Sequence, residues 1–155
     1  MSSAMEQLYQ QLILDHAKHP HGKGLAGPGT GESHQVNPTC GDEVTLRVHL
    51  DDGTLDAVSW DGQGCSISQA SLSVMAELVE GKQVEQVEQL GETFRALMRA
   101  RGAGLSEDLE DELGDATAFT GVAQYPARIK CALLGWAALR DALAQAGVAT
   151  KGEQG

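Results

Sequence analysis

Three cysteines, Cys40, Cys65 and Cys131, and one nearby carboxylate, Asp42, are the residues whose types and placing suit chemistry. A thiolate binds soft and borderline metal ions and attacks sulfur, whereas a thiol in an apolar core is inert. Three widely spread cysteines do not make a disulfide framework. Each stands where one element gives way to another. Cys40 lies in Asn37-Pro38-Thr39-Cys40-Gly41-Asp42, just ahead of an expected strand. Cys65 lies in Gly62-Gln63-Gly64-Cys65-Ser66-Ile67-Ser68, where a strand ends and a helix begins. Cys131 falls in the first turns of the last helix, after Pro126. Helix N-termini and unpaired backbone N–H groups favour thiolate, and flanking glycines let the backbone approach an ion or a second molecule closely. This placing favours a functional cluster over three inert thiols. Three thiolates leave a tetrahedral zinc site one ligand short, and Asp42, two residues from Cys40, is the obvious fourth. The competing reading is that Asp42 only caps a turn. Arg128 and Lys130 could balance the negative charge of such a set, although a solvated helix face explains both equally well.

His16, His19 and His21 form a short cluster, but histidines near a helix C-terminus interact well with its dipole and need no metal. His49 alternates onto the outer face of its strand, as a surface residue would, and His34 falls in a loop. No phosphate-binding glycine loop, Ser/His/Asp order or metalloprotease helix motif is present.

These residues need elements to position them. Gln7 to His16 carries Leu8, Tyr9, Leu12, Ile13 and His16 on one helical stripe, ended by Pro20 and the glycines that follow. Val44 to Leu50 alternates with a period of two, Asp51-Asp52-Gly53 is a turn, and Leu55 to Trp60 is the returning strand. An edge strand between Glu32 and Asn37 would make a third. From Ser66 the pattern turns helical up to Gly81, with Ile67, Ala70, Val74, Met75, Leu78 and Val79 on one face. A further helix is expected over Gly91 to Arg101, with Phe94, Leu97 and Met98 inward. Ser106 to Asp115, with six acids and two leucines, reads as a solvated connector. The last helix, about Ala127 to Ala146, would bury Ile129, Leu133, Trp136, Leu139 or the stem of Arg140, and Leu143. Strands followed by helices predict an α+β fold, with helices on one face of a small antiparallel sheet of about three strands.

The chain has 155 residues, the size of one ordinary domain, and 41% are apolar, enough for one core. A single domain over 1–155 is expected, with flexible residues 1–5 and a flexible tail, 148–155. Eleven Lys and Arg against 22 Asp and Glu give a net charge of −11, which repels phosphate backbones and anionic membranes. No apolar run approaches the roughly 20 residues of a spanning helix. The first ten residues lack the basic and apolar regions of a secretory signal, so a soluble, cytoplasmic protein without nucleic-acid or membrane partners is expected.

Four ordered motifs together resemble the U-type iron–sulfur assembly family, specifically its SufU branch. They are Leu8-Tyr9 with Ile13-Leu14-Asp15-His16, Asn37 to Asp42, Gly62 to Ser68, and Tyr125-Pro-Ala-Arg-Ile-Lys-Cys131. The likeness runs from about Leu8 to Ala146. Members of the related IscU branch, which are scaffolds for cluster building, have His immediately before the last cysteine. Here that position is Lys130, and the stretch Gly81 to Ala123 resembles the insertion that marks SufU proteins. The first loop of relatives reads Pro-Arg-Asn, where this chain has Pro20-His21-Gly22. The resemblance implies the compact IscU/SufU fold and one zinc held by Cys40, Asp42, Cys65 and Cys131. It implies a sulfurtransferase that takes persulfide sulfur from a SufS-type cysteine desulfurase and passes it to downstream Suf scaffold proteins. In that scheme Cys40 is the sulfur acceptor, released from zinc when a histidine of the desulfurase replaces it, and Arg128 contacts the partner. The alternative is a scaffold that builds and transfers a [2Fe–2S] cluster, held transiently on the same cysteines. A purely structural zinc domain is the bland third reading.

Overall fold

A computed structural model of the chain describes residues 4–27, 29–38 and 41–147. The element order is α1 (Ala4–Lys18), β1 (Gly31–Asn37), β2 (Asp42–Asp51), β3 (Thr54–Gln63), α2 (Ser66–Val79), α3 (Val84–Arg99), α4 (Glu107–Leu113), a 3-10 segment (Gly114–Gln124) and α5 (Pro126–Gln145). The three strands form one antiparallel sheet in the order β1-β2-β3. Val44, Leu46 and Val48 of β2 are buried, as their alternation predicts, and Leu46 and Val48 stand opposite Trp60 and Val58. The bend at Asp52 and Gly53, both with positive φ, closes the β2–β3 hairpin. Gly53 meets that requirement without the steric cost a Cβ would bring.

α5 lies across β1 and β2, and α2 packs against α5 and α1. Gly31 of β1 and Gly135 of α5 permit the close approaches. A Cβ on Gly31 would collide with the Ala142 carbonyl, and one on Gly135 would lie 2.6 Å from Leu72 Cδ2. The exposed edge of β3 is covered by the segment after α1: Trp60 donates from its backbone N–H to Gly22 O, and Gly24 donates back to Trp60 O. Covering an edge in this way removes a template for strand pairing with another chain. Phe94 stacks on Trp136 with ring centroids 5.3 Å apart and meets Phe119 edge-on at 5.9 Å, joining α3, α5 and the 3-10 segment in one core.

Several elements depart from expectation. The connector over Ser106 to Asp115 is helical. Ser106 caps α4 by accepting from Leu109 N–H, and the acids of its first turn suit the positive end of a helix dipole. Leu113 is fully buried, so the segment is anchored rather than merely solvated. α3 begins seven residues before the expected Gly91, at Val84, where Gln83 and Gln86 form a reciprocal capping box. In α5 the inner face runs through Cys131, Ala132, Gly135, Trp136, Ala138, Leu139, Ala142 and Leu143, leaving Ile129 and Leu133 half-buried. In α1 only Ile13 is buried, and Leu8 is 60% exposed. His34 belongs to β1 and not to a loop, and His49, expected on the surface, is half-buried with its Nε2 atom enclosed. Ala4 and Met5, expected to be flexible, are in the first turn of α1, while residues 1–3 and the tail 148–155 lie outside the described residues.

Candidate metal centre

The end of β3, the start of α2, the start of β2 and the first turns of α5 meet at one point. β2 begins at Asp42, which pairs with Asn37 of β1, and this fixes a carboxylate at the mouth of the sheet. β3 ends at Gln63, and Gly64 leads into Cys65, the N-cap residue of α2. Pro126 opens α5, so Cys131 falls a turn and a half inside the helix.

Asp42 is completely buried and Cys131 is 3% exposed, whereas Cys65 is open to solvent. Their ligand atoms, one carboxylate oxygen and two sulfurs, all lie within 4.8 Å of one another. Cys65 N–H donates to Asp42 Oδ1 at 2.9 Å, and Cys65 Sγ stands 3.8 Å from Asp42 Oδ2 and 3.9 Å from Ser68 Oγ. Cys131 Sγ is 3.6 Å from the Ala127 carbonyl oxygen.

A carboxylate with no exposed surface is costly unless a cation or several donors compensate it. Asp42 receives the Cys65 N–H on one oxygen and turns the other toward the Cys65 thiol, with Cys131 Sγ also close to its carboxylate. Zn–S bonds of 2.3 Å and Zn–O bonds near 2.0 Å at a tetrahedral angle put sulfur and oxygen about 3.5 Å apart. The 3.8 Å between Cys65 Sγ and Asp42 Oδ2 is close to that value. The donor set therefore fits a thiophilic divalent ion such as zinc. Asp42 also accepts from the backbone of Cys65, the N-cap residue of α2, which is a capping contact of the kind its sequence position allows.

Of the sequence-derived site residues, the fold brings Asp42, Cys65 and Cys131 together, while Cys40 lies outside the described residues. Arg128 is exposed, with its guanidinium 4.8 Å over the ring of Tyr125, and Lys130 is exposed as well. His16 in α1 and His19 and His21 just after it do not gather into one site. His21 Nε2 is 2.7 Å from Glu80 Oε1, and His16 turns to Ser73 and Asp115. Two residues of the Gly62–Ser68 motif have packing roles beyond what the motif alone indicates. A Cβ on Gly64 would strike Asp42 Oδ1 and lie 2.6 Å from Ser68 Oγ, so only glycine fits between carboxylate and helix. Ser68 is buried and donates to Cys65 O at 3.0 Å, which tightens the turn bearing the thiol.

Comparison with known proteins agrees with this geometry. The NifU-like N-terminal domain family matches residues 8–144. A Bacillus subtilis protein named zinc-dependent sulfurtransferase SufU is 38% identical over 141 residues, 91% of this chain and 92% of its own. A Streptococcus pyogenes protein named iron–sulfur cluster assembly scaffold IscU is 37% identical over 91% of this chain and 86% of its own. The crystal structure of a Fervidobacterium islandicum protein, described as a SUF-system iron–sulfur assembly scaffold, superposes with a TM-score of 0.76. It is 34% identical, covering 89% of this chain and 98% of that one. The α+β fold of one three-stranded sheet and five helices is thus shared, and the chain belongs to the NifU-like N-terminal domain family.

Proposed function

We propose that this chain is a zinc-dependent sulfurtransferase of iron–sulfur cluster biogenesis. It takes sulfur from a SufS-type cysteine desulfurase and passes it to downstream Suf scaffold proteins in the cytoplasm. The observation that carries this reading is the convergence of Asp42, Cys65 and Cys131 within 4.8 Å. It occurs in a chain that is 38% identical over most of its length to a protein named for that activity. No described helix is long and apolar enough to cross a membrane.

Asp42, Cys65 and Cys131 would hold the zinc, with Cys40 as fourth ligand. Cys40 is two residues from Asp42, and covalent geometry keeps their Cα atoms within about 7 Å. Zinc bound there would keep the thiols deprotonated and the site folded, without redox chemistry of its own. Cys40 is the sulfur acceptor. Its thiolate attacks the outer sulfur of the partner's persulfide, the partner's S–S bond breaks, and the partner's thiolate leaves as Cys40 becomes the persulfide. The exchange needs no external oxidant or reductant. Arg128, exposed beside the site on the first turn of α5, is the docking contact.

A scaffold that builds a [2Fe–2S] cluster on the same cysteines is the second reading, supported by the relative named as a scaffold. Lys130, directly before Cys131, counts against it, because a protonated ammonium cannot ligate. Metal and sulfide analysis of anoxically purified protein separates the two. About one zinc per chain and a colourless solution is expected. Iron with acid-labile sulfide and a brown colour would favour the scaffold.

A further inference from the structure

We propose that His16, Glu77 and Asp115 form a second cation site, for a first-row divalent ion such as Mn2+, about 18 Å from Cys65 along α2. The three residues come from three elements: α1, the last turn of α2 and the start of the 3-10 segment. Their ligand atoms all lie within 4.8 Å of one another, and His16 Nε2 is 3.8 Å from Asp115 Oδ2. Ligands bound at 2.0–2.2 Å stand about 3 Å apart when adjacent and about 4 Å apart when opposite. The cluster therefore closes on an ion with side-chain shifts below about an ångström.

The imidazole is held in place for this task. His16 Nδ1 is 2.7 Å from Ser73 Oγ, a fully buried hydroxyl whose oxygen also accepts from His21 N–H at 2.8 Å. In the tautomer that donates Nδ1–H to that oxygen, the lone pair of Nε2 is left for a cation beside the two carboxylates, as in metal-bound histidines whose other nitrogen is tied down. Glu77 and Asp115 bring two acidic groups to one point. One divalent ion neutralises the set. Glu77 and Asp115 also border a recess of about 190 Å³ with Val74, Leu78 and Lys82, which leaves room for water on the open side. The Lys82 ammonium is turned to the Leu78 carbonyl, 2.6 Å away. An imidazole with two carboxylates suits ions from Mn2+ to Zn2+ better than Ca2+ or Mg2+, and it lacks the thiolates that reserve the cysteine site for softer metals. A bound ion would pin α1 and the 3-10 segment to α2.

The test is a Mn2+ titration of chain already loaded with one equivalent of zinc, followed by the electron paramagnetic resonance signal of free Mn2+. One further equivalent is expected to bind and to raise Tm. Glu77→Gln and Asp115→Asn, at exposed positions, are expected to weaken that binding at least about 10-fold each while zinc stays bound. Asp56→Asn, which removes an exposed carboxylate outside the cluster, should leave it unchanged. No Mn2+ binding, binding that survives the Glu77→Gln/Asp115→Asn double variant, or equal weakening by Asp56→Asn would each overturn the proposal.

Discussion

Gly64→Ala isolates the packing of the cysteine site from the identity of its ligands. Gly64 does not have positive φ, so alanine meets no backbone strain there. On chain entropy alone the change should stabilise the protein by about 0.4–1 kcal/mol. The side-chain surroundings reverse the sign. The new Cβ would stand 2.6 Å from Ser68 Oγ and 2.8 Å from Asp42 Cγ, and would strike Asp42 Oδ1 outright. Carbon contacts settle near 3.5–4.0 Å, so the carboxylate must retreat by about an ångström. That breaks the Cys65 N–H bond to Asp42 Oδ1 and leaves buried polar groups unpaired. The cost is about 1–3 kcal/mol. At roughly 2–4 °C per kcal/mol for a chain of this size, Tm should fall by about 2–12 °C. Zinc affinity, measured by competition with a chromophoric chelator, should fall about 10- to 100-fold, the usual cost of disturbing groups that orient ligands. Gly121→Ala is the control, because nothing lies within 4 Å of its added Cβ and its φ is not positive; it should be neutral or stabilising. Gly64→Ala that matches Gly121→Ala in both Tm and zinc affinity would refute the argument.

Other outcomes follow from the same packing. Gly135→Ala places a methyl 2.6 Å from Leu72 Cδ2 where α5 crosses α2, and should cost about 1–3 kcal/mol by denaturant melt. Trp136→Ala removes the ring stacked on Phe94 and should destabilise by about 3–5 kcal/mol, with m unchanged if the fold survives. Ser106→Ala removes the α4 cap and should lower stability by about 1 kcal/mol, read from the urea midpoint. Chelating the metal should lower Tm. The loss should correspond to about 2.7 kcal/mol where free zinc had stood at 100 times its Kd, and titrating zinc back should restore it.

The parts legible in the sequence are those where one residue's surroundings are set by its near neighbours. The alternation of Val44, Leu46 and Val48 defines the buried face of β2 because the strand pleat enforces it. The placing of Cys65 and Cys131 at helix starts follows from Gly64 and Pro126 and survives intact. The illegible parts rest on contacts between distant residues. Ser68, Ser71 and Ser73 read as polar, yet all three are buried and hydrogen-bonded, Ser71 to the Ala132 carbonyl and Ser73 to His16. On α5 the expected Trp136, Leu139 and Leu143 are buried, while Ile129 and Leu133 are half-buried, because large side chains weigh most in a periodicity. The face that packs is rich in Ala132, Gly135, Ala138 and Ala142, whose small size lets α5 approach its neighbours. α4 was missed because its acids read as a solvated run, whereas they stand at the favourable end of a capped helix. The fit of Gly64 against Asp42 arises from a residue 22 positions away in another strand, and no local pattern carries it.

The central claim is tested most directly by following sulfur. The zinc-loaded chain is incubated with a SufS-type desulfurase and ³⁵S-cysteine, and the label is mapped by peptide analysis without reductant. The account predicts one transferred sulfur, on Cys40, removed by added thiol and absent in Cys40→Ser. Label on Cys65 or Cys131 instead, undiminished labelling of Cys40→Ser, or no labelling of a correctly metallated chain would contradict it.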